Sequence, residues 1–222
     1  MNHIQTAILA QIRPRTMVGE DAPWQQRKSS ETRIRILEAT IDCLVEKGYS
    51  KLSTSEVTAR SGASRGAMHH HFPTRMATVA AAIDYILYKR MDGFLQDYFS
   101  SLKKKTQSKS ATVIANEAYW RSVQTREYSA YLELAIAART DAELNSHFLP
   151  TARKFDKVWR DEMVKAFPEW EGHMDKLLTA SDFAMSAHMG LLLHRPIFGE
   201  GKRTRQLMDL ILKVMEGLHQ GG

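Results

Sequence analysis

Arg65, Gly66 and Ala67 have types and an order that suit the edge of a base pair. A guanidinium is a planar fork that matches the O6 and N7 acceptors of guanine. Gly66 and Ala67 are small enough to let a helix approach closely, and an alanine methyl can meet the methyl of thymine. Ser64 stands just before them and can cap the helix they open. A second set has different chemistry. Tyr119, Trp120, Tyr128, Tyr131, Phe155, Trp159, Phe183, Met185, His188 and Met189 could line an apolar cavity for a small ligand. Each of them also fits plain core packing. Asp182 and Glu133 could recognise a cation, and both fit a solvated face as well. The triplet His69-His70-His71 points to no metal, because consecutive helical residues fan around the axis and do not converge on one ion. There is no GxSxG, no glycine-rich phosphate loop and no HExxH. Cys43 sits in an apolar helical pattern and reads as a small hydrophobe. An enzyme is therefore not expected, and neither is a cofactor.

The reading residues need two short helices and a tight turn to hold them. Ser53 or Thr54 can cap the first, with Glu56 at capping-box spacing from Ser53. Val57 and Ala59 are apolar, and Gly62 suits the left-handed conformation that closes a helix. The second helix then runs from Arg65 to Phe72, where Pro73 stops it. Met68 and Phe72 are four apart and face a small core, leaving the other side open. Two helices joined this way form a helix-turn-helix, whose second helix can enter a major groove. A preceding helix from about Ser30 to Lys47 carries Ile34, Leu37, Ile41, Leu44 and Val45 at helical spacing and must bury that stripe against the pair.

Gly48-Tyr49, Ser53-Thr54 and the string SGASRGAMHHHFPTR resemble the N-terminal domain of the TetR/AcrR family of bacterial transcriptional regulators. The resemblance covers roughly Ser29 to Ala82. It implies an all-α protein: a three-helix helix-turn-helix domain, then a helical domain for effector binding and dimerisation. It implies that Arg75, where the family usually has a lysine, contacts phosphate, and that Thr54 is similarly placed. His69 stands where a tyrosine is usual, and His70 falls beside it near phosphates; an imidazole can still donate to a phosphate. A homodimer on a near-palindromic stretch of double-stranded DNA is the implied assembly, with a small apolar or aromatic effector releasing repression. The competing expectation is an architectural or division-linked DNA-binding protein that needs no effector.

The whole chain fits these expectations. Its 222 residues carry a formal charge of +6, which favours a polyanionic partner. No apolar run approaches the ~18 residues of a membrane span, and a single cysteine suits a reducing cytoplasm. Residues 1–28 contain Pro14, Gly19 and Pro23 and four basic residues after Ile12, and read as a flexible basic arm. Residues 29–75 read as the DNA-binding domain and 76–222 as the effector and dimerisation domain. A long helix from Arg75 to about Phe99 links them. Ser100 to Ser110 reads as a polar loop, Pro150 as a kink or break, and His194-Arg195-Pro196 as part of the last loop. The closing stripe Leu207, Leu210, Ile211, Val214 and Leu218 could form a dimer face or pack within one subunit.

Overall fold

A computed structural model describes residues 3–104 and 110–220. The described residues form ten α-helices and two 3-10 turns, an all-α protein. The helices are α1 (His3–Ile12), α2 (Trp24–Lys47), α3 (Thr54–Ser61), α4 (Arg65–His71), α5 (Arg75–Lys103), α6 (Ala111–Val123), α7 (Arg126–Ala137), α8 (Ala142–Ala166), α9 (Met174–Phe198) and α10 (Lys202–Gln220). No described helix is long and apolar enough to cross a membrane.

The chain divides into two compact units. The first, called the reading unit below, comprises Leu9–Met91 with Arg126–Asp156. Its core is built from Ile36, Leu37, Ile41 and Leu44 of α2, Val57 of α3, Met68 of α4 and Val79, Ile83 and Ile86 of α5. Leu134 of α7 and Leu144 and Phe148 of α8 complete it. The second unit, Met1–Ile8 with Asp92–Thr125 and Lys157–Gly222, buries Leu95, Tyr98, Ala118, Trp170 and Leu191. There the Tyr98 hydroxyl donates to the Ala166 carbonyl at 3.1 Å.

Several expectations are corrected by this arrangement. Residues expected as an arm contain α1, which buries Ile8, Leu9 and Ile12. The segment after it is tied to α2: the Ser30 hydroxyl donates to the Thr16 carbonyl at 2.7 Å. Helix α2 begins at Trp24, on Pro23, because a proline at a helix entrance removes an N–H that would be unpaired anyway. Val45 is exposed and does not share the α2 stripe. The two compact units part within α5, between Met91 and Asp92, and α7 and the first half of α8 supply core to the reading unit. Helix α5 takes in Ser100–Lys103 of the expected loop, and residues 105–109 of that loop lie outside the described residues. Pro150 lies inside a continuous α8; it and Ser146, whose carbonyl loses a donor, are both exposed, so water can serve that carbonyl. Helix α9 likewise continues through Pro196 to Phe198 before Gly199 ends it.

Candidate functional site

Each short helix of the reading unit is started by the side chain that precedes it. The Ser53 hydroxyl accepts from the Glu56 amide at 3.3 Å, and the Ser64 hydroxyl accepts from the Ala67 amide at 3.1 Å. Gly62 closes α3 at φ +66°, where any Cβ is disfavoured. Thr74 caps α5 by accepting from the Ala77 amide at 2.9 Å. The Glu56 carboxylate pairs with Lys47, and Arg60 grips Glu46 with two hydrogen bonds, so α3 is fastened to α2. Thr58 hydrogen-bonds back to the Thr54 carbonyl at 2.6 Å, which accommodates its hydroxyl within α3.

Helix α4 then has two chemically distinct sides. Met68 is buried, as is Phe72 immediately after the helix. Ser64, Arg65, Gly66, His69 and His70 are exposed, and Ala67 is half-buried. Among the described residues no carboxylate pairs with Arg65. Between α4 and the starts of α3 and α5 lies a surface recess of about 300 Å³, bordered by Thr54, Arg65, His69, Thr74 and Arg75. The N-termini of α3 and α5 face positive dipole ends toward it, a setting that favours an anion.

Arg75 does more than border the recess. Its Nε donates to the Leu52 carbonyl at 2.9 Å, its guanidinium donates to the Tyr49 carbonyl, and the same group lies 4.3 Å from the centre of the Tyr49 ring. The residue before the 3-10 turn, Gly48, has φ +79°, and a Cβ there would sit 2.9 Å from Glu133 Oε1. That carboxylate accepts from the Tyr49 amide at 2.7 Å, and the Tyr49 hydroxyl donates to Asp141 at 2.9 Å. Glu133 is thus occupied structurally, not presented to a ligand. The turn leading into α3 is pinned from both sides.

A second brace joins α2 to α7. Arg126 donates to Glu38 and Asp42 and pairs with Glu127. Lys89 of α5 bridges Glu38 at 2.8 Å and Glu127 at 3.2 Å. Burial pushes the Glu38 carboxyl up, but the hydrogen bonds from Lys89 and Tyr85 and the charges of Lys89 and Arg126 prevail and hold it below its ordinary value.

The aromatic candidates do not form one site. Tyr128, Tyr131 and Phe155 belong to the reading unit, where their rings surround the Arg90 guanidinium at 4.5, 3.9 and 5.8 Å. Their ring faces satisfy a cation there. In the second unit, Tyr119, Trp159 and Met185 line a cavity of about 60 Å³ with Phe94, Trp170 and Asn116. Trp159 Nε1 donates to Ser181 at 3.0 Å. Trp120 and His188 lie behind Tyr119: the His188 ring centre is 5.5 Å from that of Tyr119 and 5.8 Å from that of Trp120. His188 is 0% exposed, its Nδ1 lies 2.6 Å from the Ala184 carbonyl, and burial holds its basicity below the ordinary histidine value. Met189 is half-buried, Phe183 is an exposed side chain on α9, and Asp182 pairs with Arg160 at 2.9 Å. Asn116, which the pattern of aromatic residues gave no reason to single out, is buried against the cavity and is the lining side chain with the most polar capacity. Among the described residues no cluster of three or more His, Cys, Asp or Glu is placed to hold a metal ion.

Two capped helices around a left-handed glycine, with the second exposing an arginine and two histidines, define a helix-turn-helix protein. The sequence profile described as "Bacterial regulatory proteins, tetR family" matches residues 36–82. An uncharacterised HTH-type transcriptional regulator of Mycobacterium tuberculosis is 32% identical over 120 residues, which is 54% of this chain and 60% of that protein. The HTH-type transcriptional regulator CymR of Pseudomonas putida is 34% identical over 62 residues, 28% of this chain and 30% of CymR. The match therefore spans well under two thirds of either relative. Among solved structures, a TetR transcription regulator from Haloarcula marismortui aligns with a TM-score of 0.61 at 16% identity, covering 86% of this chain and 98% of that one. A transcriptional regulator from Pseudomonas aeruginosa gives 0.60 at 16% identity, covering 93% and 95%. These two alignments speak for the fold. Over residues 36–82 the chain is thus similar to the TetR family of bacterial regulatory proteins.

Proposed function

We propose that this protein is a sequence-specific DNA-binding regulator of transcription that acts as a homodimer, a repressor released by a small apolar or aromatic effector. The observation that carries the reading is the two-sidedness of α4, with Met68 and Phe72 anchored inside while Arg65, Gly66, His69 and His70 face solvent. Arg65 is assigned to a base edge, with Gly66 and Ala67 allowing close approach. Thr54, Ser64, His69, His70 and Arg75 are assigned to the phosphates around it. Two such helices in one dimer would enter successive major grooves about 34–36 Å apart, so the operator is a near-palindrome. Helices α9 and α10 support the dimer, because Leu193, Ile197, Leu210 and Val214 remain exposed on them. The cavity lined by Phe94 and Tyr119 is assigned to the effector. Phe94 and Arg75 lie on the same helix, so an effector touching Phe94 acts on the element that holds the turn before α3.

The test is binding of fragments enriched from random duplexes, followed by fluorescence anisotropy against salt. Affinity should fall with a log–log slope of about −0.9 per neutralised phosphate. Arg65→Ala should cost roughly 1–3 kcal/mol and relax preference at one position of each half-site. Binding that ignores salt sinks the DNA reading, and uniform weakening across sequences moves Arg65 to a phosphate. A second reading, an architectural DNA-binding protein without an effector, is favoured by the small size of the cavity, about 60 Å³. Ligand pockets are commonly about 300–1,000 Å³.

A further inference from the structure

The cavity of the second unit has aromatic walls and one polar group at odds with them. Phe94, Tyr119, Trp159 and Trp170 supply ring surface, and none of the described side chains lining it is charged. Asn116 of α6 also lines it, is 2% exposed, and has no protein hydrogen-bond partner at either Oδ1 or Nδ2 among the described residues. A buried primary amide left unpaired is unfavourable, and every such group calls for an explanation. Two other polar groups at the wall are already matched to each other, since Trp159 Nε1 donates to Ser181.

We propose that the cavity selects a neutral, mostly apolar molecule that carries a hydrogen-bond donor beside an acceptor: a primary amide, a lactam or a urea attached to a ring. The inference rests on the reading of this unit as effector-binding and names the chemical class of that effector. An asparagine amide offers an acceptor and a donor side by side, so its complement is another amide, held by two parallel hydrogen bonds. A lone carbonyl would satisfy only the amide donor. An ion would enter a wall with no counter-charge and lose its hydration without compensation. Space sets the second condition. The cavity is about 60 Å³, less than half the roughly 150 Å³ of an engineered cavity that admits benzene. A ring therefore enters by displacing wall side chains. Met185 and Met215 are the lining residues suited to this, because an unbranched thioether repacks with little strain.

The experiment titrates the full-length protein, without DNA, with four probes of one size: benzamide, acetophenone, benzoate and benzylammonium. Calorimetry and the fluorescence of Trp159 and Trp170 read the binding. Benzamide is expected to bind best, roughly tenfold tighter than acetophenone, as one further hydrogen bond to a buried partner allows. Benzoate and benzylammonium are expected not to saturate. In Asn116→Leu, benzamide should weaken about tenfold, to the level of acetophenone, while acetophenone changes little. The variant should melt no lower than the wild type, because an unmatched polar group has been replaced by an apolar one of similar shape. If the variant fails to fold, the ranking of the four probes on the wild type decides alone. Equal benzamide affinity in both proteins, an ion binding as well as benzamide, or no binding by any probe would each overturn the inference. Benzamide binding that leaves DNA affinity unchanged would uphold the selectivity stated here and refute the effector-release reading instead.

Discussion

Arg75 carries two roles that one substitution can separate. The resemblance to the family assigns it to phosphate, whereas the structure gives its guanidinium two backbone carbonyls and the face of Tyr49. In Arg75→Ala both contacts vanish. The Tyr49 carbonyl keeps its bond from the Leu52 amide at 3.2 Å, so the Leu52 carbonyl bears most of the loss. Hydrogen bonds from a charged donor are worth about 1.5–3 kcal/mol each, and the ring contact about 0.5–1. The residue is only half-buried, so solvent screens part of this, and a net loss of roughly 2–4 kcal/mol is expected. At about 2–4 °C per kcal/mol for a chain of this length, the melting temperature should fall by roughly 4–16 °C. Urea unfolding followed by circular dichroism measures the loss. Arg75→Lys retains one donor and the charge, and should recover part of the stability. If Arg75 also neutralises a phosphate, the salt slope of DNA binding for a folded Arg75→Met protein drops by about 0.9 per half-site. A loss under about 0.5 kcal/mol in Arg75→Ala would refute the structural role, since only a solvated side chain is removed so cheaply.

The closing helices give the next prediction. Leu210 is 53% and Val214 36% exposed while Ile211 is 4% exposed, so Leu210→Asp or Val214→Asp should yield folded monomers by light scattering, whereas Ile211→Asp should unfold the protein. A folded dimer in Leu210→Asp and Val214→Asp together would refute the proposed interface. His188 gives a pH prediction with a definite sign. Its folded-state basicity is held below the ordinary 6.5, so as pH falls through 6.5 the unfolded chain takes up a proton that the folded one refuses. Stability should therefore fall as the pH drops below 6.5, and His188→Phe should flatten that decline; His71, shifted the same way by burial, accounts for part of what remains. Parallel profiles of wild type and His188→Phe would exclude His188 as the source.

The reading helix was legible in the sequence because its chemistry is local. Ser53, Gly62 and Ser64 each act within three or four residues, and the observed α3 and α4 start and stop where those residues require. The burial of Met68 and Phe72 follows from a spacing of four on one short helix. What was not legible depends on partners far away in the chain. Nothing near Tyr128, Tyr131 or Phe155 tells that their rings surround Arg90. Pro150 and Pro196 looked like interruptions because the solvent exposure that lets a helix continue past Pro150 is a tertiary property. Helix α1 lacked a readable period, and its burial comes from a surface that other segments provide. Asn116 was invisible for the converse reason: one polar residue on an apolar helix looks like a surface position until its burial is known.

The pinning of the 3-10 turn has a bearing on how chains of this fold can be recombined. Tyr49 answers to Glu133 and Asp141, and Arg126 answers to Glu38 and Asp42, so residues 126–156 are structurally native to the unit that holds α2, α3 and α4. A hybrid that joins residues 1–91 to a foreign C-terminal half would leave Glu38 and Asp42 without their arginine. A workable graft takes both stretches together. By the same logic, a side chain at position 48 would displace the Glu133 carboxylate from the Tyr49 amide, coupling two sites 85 positions apart.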